Sequence, residues 1–175
     1  PEFSIQFEFI GEAFTDQFGQ EVVKGAVVPF AFQRYKMPID WSVSWYAYDP
    51  QSESPSFTDL VKEKSLKQEQ TDQLVYHWWG SPQEGVPADH FATLAIAEPS
   101  FTPGTYSIII SSDDGLRFYI DDELRIDHWE AHESAVKEIE LPLDGQHRFR
   151  VEHYDDTGLS AIDFRIEKVS TSKAL

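Results

Sequence analysis

Residues 106–126 read YSIIISSDDGLRFYIDDELRI, and the reading of this stretch decides the fold. Tyr106–Ile110 is rich in β-branched residues, which suits a strand better than a helix. Asp113-Asp114-Gly115 interrupts it. Leu116, Phe118 and Ile120 then alternate with Arg117 and Tyr119, a period of two that gives a strand one buried face. Asp121-Asp122-Glu123 stands where a hairpin turns, without the usual glycine, and Leu124–Ile126 runs back.

The same pattern extends in both directions. Downstream, Val136–Leu141, His147–His153 and Ala161–Glu167 read as strands, with Asp144-Gly145 a hairpin signal. Upstream, Phe91–Ala97 is a strand and Pro99–Gly104 a turn. Residues 83–89 are loop by composition, and Leu74–Trp78 precedes the turn Trp79-Gly80-Ser81-Pro82. Trp41, Val43 and Trp45 share one strand face, and Ser42, Ser44 and Tyr46 the other. Phe3, Ile5, Phe7 and Phe9 alternate with polar residues, and Val22–Val28 and Pro29–Tyr35 read as further short strands. One short helix is expected from Ser56 to about Lys64, on the stripe Phe57, Leu60 and Val61. A polar connection follows to Asp72. About ten or eleven short strands with one brief helix predict an all-β chain, an antiparallel β-sandwich.

Composition narrows the function. The 175 residues carry 14 Lys and Arg against 31 Asp and Glu, a net charge of −17. Such a surface repels phosphate, so nucleic acid and anionic lipid are poor partners. The absence of cysteine excludes a disulfide scaffold, a thiolate zinc site and a cysteine nucleophile. No apolar run approaches the ~18–20 residues of a membrane-spanning helix, so no membrane insertion is expected. The acidity is uneven: residues 105–167 hold 16 acids against 6 bases, a net of −10.

Five segments in order carry a family resemblance. They are Trp78-x-Gly80-Ser81-Pro82 with Gly85-Val86-Pro87-Ala88-Asp89-x-Phe91; Pro103-Gly104-Thr105-Tyr106 followed by Ser112 to Asp121; Ile126-Asp127-His128-Trp129; Gly145 to Tyr154; and Thr157-Gly158. Over about residues 41–169 the chain resembles the PA14 domain, a β-sandwich module of bacterial glycosidases, toxins and surface proteins and of fungal adhesins. It departs from the family at His128, at Asp155-Asp156 and at Leu159. The resemblance implies a PA14-type sandwich over residues 41–170 and a tail at 171–175. Residues 1–40 match no motif; they add strands to the same domain or belong to a preceding one.

The strongest chemical candidate is Asp113-Asp114-Gly115. Two adjacent carboxylates repel, and oxygen-rich loops suit a hard cation such as Ca²⁺; the glycine would allow a close turn. In the lectin branch that the chain resembles, this pair binds Ca²⁺, often through a cis peptide, and the Ca²⁺ coordinates two sugar hydroxyls. By that resemblance Asp113 and Asp114 are metal ligands, with a second loop at 154–160. Asp155 and Asp156 there are further oxygen donors, and the carbonyls of Gly158 and Leu159 are candidate ligands. A solvated turn with the carboxylates accepting backbone N–H groups is the plainer alternative. Trp129 and Tyr154 lie nearest the acidic loops and are candidates to stack on a sugar, beside Trp78 and Trp79, although Trp129, as part of a family structural motif, suits packing better than ligand contact, and Tyr154 has the same two readings. His128 and His132, with Asp127 and Glu133, share helical zinc spacing but fall in an interstrand segment, where a solvated loop explains them better. No GxSxG, HExxH or glycine-rich phosphate loop is present, so no enzyme is expected.

The reading is an extracellular or cell-surface Ca²⁺-dependent carbohydrate-binding module whose partner is a glycan, flanked by other domains of a larger protein. The alternative is a non-lectin interaction or structural domain of a secreted protein.

Overall fold

The chain divides into two units, Pro1–Tyr35 and Lys36–Leu175. A computed structural model describes residues 37–52 and 54–169, all in the second unit. The strands expected at Phe3–Phe9, Val22–Val28 and Pro29–Tyr35, and the tail at 171–175, lie outside the described residues.

Among the described residues, ten strands and one helical turn follow in the order β1 (Trp41–Ala47), α1 (Phe57–Leu60), β2 (Lys67–Thr71), β3 (Val75–Trp79), β4 (Phe91–Ala97) and β5 (Ser100–Asp113). Then come β6 (Leu116–Ile120), β7 (Glu123–His128), β8 (Ala135–Gln146), β9 (Phe149–Asp155) and β10 (Leu159–Lys168). They form a six-stranded sheet, β2-β1-β4-β9-β6-β7, and a four-stranded sheet, β3-β10-β5-β8. Their pairings are antiparallel. The chain is the antiparallel all-β sandwich that its period-two pattern predicts.

The alternation decides which side chains fill the core. Trp41, Val43 and Trp45 of β1, Phe118 of β6, Phe149 and Val151 of β9, and Ile108 and Ile110 of β5 are buried between the sheets. Trp41 packs edge-on against Phe164 at 5.0 Å, and Phe118 edge-on against Phe149 at 5.3 Å. A second, smaller cluster lies on the outer side of the six-stranded sheet, where Phe57 of α1 covers Tyr46, Ala92, Leu94 and Tyr154. That cover is why both faces of β1 are buried.

Four local expectations shift. The helix is a single turn, Phe57–Leu60, because only Phe57 of its stripe is buried. The polar stretch after it contains the edge strand β2, paired to β1 from Trp41↔Thr71 to Trp45↔Lys67. Pro99–Gly104 is not a turn: β5 runs through it, absorbing the irregularity as a register shift between Phe101 and Gly104. Asp144-Gly145 likewise lies inside β8, Gly145 opposite Phe101 with φ +77°, and the chain reverses at His147-Arg148. The glycine-free hairpin does turn at Asp121 and Asp122, both with positive φ (52° and 64°).

Candidate functional site

Three strand ends meet at one end of the sandwich. β5 finishes at Asp113, β9 at Asp155, and β4 begins at Phe91, which pairs with Asp155. Asp113 pairs with Ala161 near the start of β10, so the 113–115 and 155–158 turns lie side by side. The Asp113–Asp114 peptide bond is cis.

Asp114 is 6% exposed and holds two loops at once. Its Oδ1 accepts the backbone N–H of His132 at 3.0 Å, and its Oδ2 accepts that of Asp156 at 2.8 Å. The imidazole of His153 donates from Nε2 to the Asp113 carbonyl at 2.9 Å. Tyr48 donates its hydroxyl to the Asp155 carbonyl at 3.0 Å. Asp89, just before β4, accepts the backbone N–H of Gly158 at 3.0 Å. His90 donates its N–H to the Asp156 carbonyl and sets its Nε2 3.4 Å from the Asp156 carboxylate.

Asp155 is different. Strand alternation places it on the inward side of β9 with Val151 and His153, and its exposure is 0%. Among the described residues, the only polar side chain close enough to act on its carboxylate as a hydrogen-bond donor is the Ser160 hydroxyl, and that contact falls short of good hydrogen-bond geometry. Burial, then the nearby charges of Asp114 and Asp89, push its acid up to about 7. Burial and Asp114 also raise Asp113 above the usual carboxylate range. Around these groups other buried polar atoms lack partners: Thr93 Oγ1, Ser160 Oγ, His153 Nδ1, His132 Nε2 and the Tyr154 hydroxyl. Thr93 and His153 pair across β4 and β9 two positions before Asp155, so part of this set gathers beside it, while Trp45 Nε1, His128 Nδ1 and Arg150 Nε lack partners as well.

The candidate residues divide once placed. Asp113, Asp114, Asp155 and Asp156 lie at the same end of the sandwich, where Asp114 is bonded to the Asp156 backbone, with Gly158 and Leu159 on the second loop. Tyr154 is fully buried in the second core cluster and offers no face to a sugar. Trp129 is half-buried: Tyr154 meets it at 4.7 Å, Phe57 at 5.8 Å, and the Arg117 guanidinium lies 4.7 Å from its ring centre. Both aromatics are packing residues, because they sit where α1 covers the sheet. His128 and His132 bracket the expected interstrand loop, whose Glu130, Ala131 and Glu133 are exposed, and their rings stack 3.9 Å apart across it. Among the described residues no group of three or more His, Asp or Glu stands in ready metal-holding geometry. Sequence reasoning missed the role of Asp89, although it stands inside a family motif; Trp79, named there beside Trp78, is 84% exposed at the end of β3 opposite Leu159.

Comparison with known proteins places this arrangement. No curated protein matches the sequence. Among solved structures, an anti-sigma factor domain-containing protein superposes with TM-score 0.63 at 16% identity, over 78% of this chain and 46% of its own. The chain thus spans about half of that relative. The PA14 sugar-binding domain from an RTX adhesin gives TM-score 0.60 at 12% identity, covering 75% of this chain and 90% of its own. The A domain of epithelial adhesin 6 from Candida glabrata, in complex with Galβ1-3GlcNAc, gives 0.56 at 14%, covering 80% and 84%. The family model of the PA14 domain matches residues 36–170. The described sandwich accounts for nearly all of that span, and the chain belongs to the PA14 domain family.

Proposed function

We propose that this chain is an extracellular, Ca²⁺-dependent carbohydrate-binding module. One observation carries the reading: a fully buried carboxylate, Asp155, beside the carboxylates of Asp114, Asp89 and Asp113, with only a poorly aligned Ser160 hydroxyl to satisfy it. A buried carboxylate in that position is held by a proton or a cation. The donor set is all oxygen, which suits a hard cation that takes six to eight oxygen ligands. Asp113, Asp114 and Asp155 would hold it, with the carbonyls of Gly158 and Leu159 from the second loop. Asp156 contributes chiefly through its backbone N–H to Asp114 and its pairing with His90.

Bound there, Ca²⁺ supplies coordination positions for vicinal sugar hydroxyls. The protein's own groups do the rest. Asp114 locks the 132 and 156 segments to the 113–115 turn, and Asp89 fixes Gly158, so the loops are set before ligand arrives. Carboxylate oxygens at the rim accept hydrogen bonds from further hydroxyls. The two adhesin domains of the same fold, one described as sugar-binding and one in complex with a disaccharide, support a glycan as the partner. An acidic chain in a family of surface modules fits action outside the cell, as one domain of a larger protein.

A calorimetric titration with Ca²⁺ and then a broad glycan panel tests this. Ca²⁺ should bind, sugar binding should follow only in its presence, and Asp113→Ala should lose both. Failure of every glycan to bind in saturating Ca²⁺ would sink the proposal.

A second reading, a structural or interaction domain without a cation, is favoured by Asp114, whose two oxygens already accept backbone N–H groups. On that reading EDTA leaves the thermal melt unchanged.

A further inference from the structure

We infer that Trp79 forms a second sugar subsite, and that the ligand is an oligosaccharide reaching from the acidic loops to this indole. The inference rests on the carbohydrate reading above. Trp79 is the last residue of β3, an edge strand. Its neighbours on the strand face inward: Tyr76 and Trp78 stack at 4.8 Å, and Trp78 packs edge-on against Trp45 and Phe91. Alternation therefore turns Trp79 outward, and it makes no ring contact among the described residues.

Register connects it to the acidic end. Trp79 pairs with Leu159, the residue that follows the Asp155–Gly158 loop. Two positions along β10, Ala161 pairs with His77 on one side and with Asp113 on the other. Directly paired residues, and residues two apart, share a face, so Trp79, Leu159, Ala161 and Asp113 lie on the outer face of the four-stranded sheet. Two strand spacings and a two-residue offset separate Trp79 from Asp113 by about 12 Å between Cα atoms. That span is longer than one pyranose and suits a chain of two or three.

The chemistry is complementary. A sugar presents hydroxyls that carboxylates accept and an apolar C–H face that an aromatic ring covers. Isolated exposed aliphatics such as Val61 and Val136 are ordinary. A bare indole on the same face as Asp113, opposite the end of the second acidic loop, supplies what the acidic cluster lacks. Trp129 and Tyr154 cannot supply it, since each is committed to packing.

The test uses the full chain in millimolar Ca²⁺, with glucose, galactose and mannose and their linear oligomers of up to four units as probes. Calorimetry gives affinity, and indole fluorescence reports on Trp79. Some oligomer should bind about five- to tenfold tighter than its monosaccharide, the increment expected of one stacked ring. Trp79→Ala should erase that increment and the accompanying fluorescence change while leaving monosaccharide affinity and melting temperature unchanged, and Trp79→Phe should restore part of it. Monosaccharide binding with no length increment, or an increment that survives in Trp79→Ala, overturns the subsite and leaves the carbohydrate reading standing. Absence of binding by every probe to the wild-type chain overturns both the subsite and, if the broader glycan panel is also negative, the carbohydrate reading.

Discussion

A methyl group built on Gly115 would sit 2.1 Å from Cε1 of Tyr154, a ring that is itself fully buried. Gly115 is not among the glycines with positive φ, so room, not backbone freedom, explains it. The expectation that it serves a tight turn is thus replaced by a packing reason. Gly115→Ala should destabilise the domain by about 1–3 kcal/mol, the cost of overpacking a filled site. In a Tyr154→Leu background that cost should fall sharply, because the obstructing ring is gone; a double-mutant cycle on urea unfolding measures the difference. Equal costs in both backgrounds would show that Tyr154 is not the obstruction. The candidate site was legible where chemistry is local. Asp113, Asp114, Asp155 and Asp156 stand as adjacent carboxylates, and strand ends were readable around them. The aromatics were not legible in the same way. Nearness in sequence favoured Trp129 and Tyr154, whereas exposure is decided by which face each takes and by α1, more than sixty residues upstream of either. Trp79 gains its place from pairing with Leu159, eighty residues away.

At the scale of elements, period-two alternation recovered the strands whose two faces differ, and failed where they do not. β6 alternates buried and half-exposed residues and was readable; β2, KQEQT, is polar on both faces and exists because β1 lends it hydrogen bonds. Proline and glycine signals misled in β5 and β8 because long paired strands absorb a bulge more easily than the chain reverses. The β6–β7 hairpin shows the converse, a turn built from two residues that seldom take positive φ. Its two aspartates are not equivalent. Asp121 accepts the Arg148 N–H at 2.8 Å and pairs with His147 at 2.6 Å, tying the turn to β9. Asp122 makes only an exposed pair with Arg148, an interaction worth little. Asp122→Gly should therefore stabilise the domain by about 0.5 kcal/mol through relief of the left-handed conformation. Asp121→Gly should destabilise it by about 1 kcal/mol through the lost hydrogen bonds. Thermal melts of the two variants should shift in opposite directions; shifts of the same sign would mean that the carboxylate of Asp121 does not anchor the turn.

Across the whole molecule, the net charge of −17 includes a part that is concentrated around Asp113, Asp114, Asp155 and Asp156, and mutual repulsion there opposes folding at neutral pH in the absence of a cation. Asp155 rises from 3.8 to about 7 on folding, so between those values the folded chain holds more protons than the unfolded one, and stability falls as pH rises. Burial raises Asp113 and Glu152 in the same direction. His153 does the reverse. Buried as a neutral ring, it drops from 6.5 to about 4, so stability falls as pH falls through that window. The two windows overlap between pH 4 and 6.5 with opposite slopes, leaving the cation-free protein with a shallow profile there and a loss toward pH 7. Asp155→Asn removes one slope and exposes the other. In EDTA the variant should gain stability as pH rises from about 4 to 6.5, show no loss toward pH 7, and at pH 7 melt about 2–6 °C above wild type. On the proposed reading, Ca²⁺ would act on the same group from the opposite side, because a bound cation favours the ionised carboxylate. Its stabilisation of the wild-type chain should therefore be largest above pH 7, shrink as Asp155 takes up its proton, and be much reduced in Asp155→Asn. Urea midpoints measured across pH, with EDTA and with Ca²⁺, give all four curves. A variant whose profile in EDTA parallels that of wild type would show that Asp155 is not the group that couples the site to the fold.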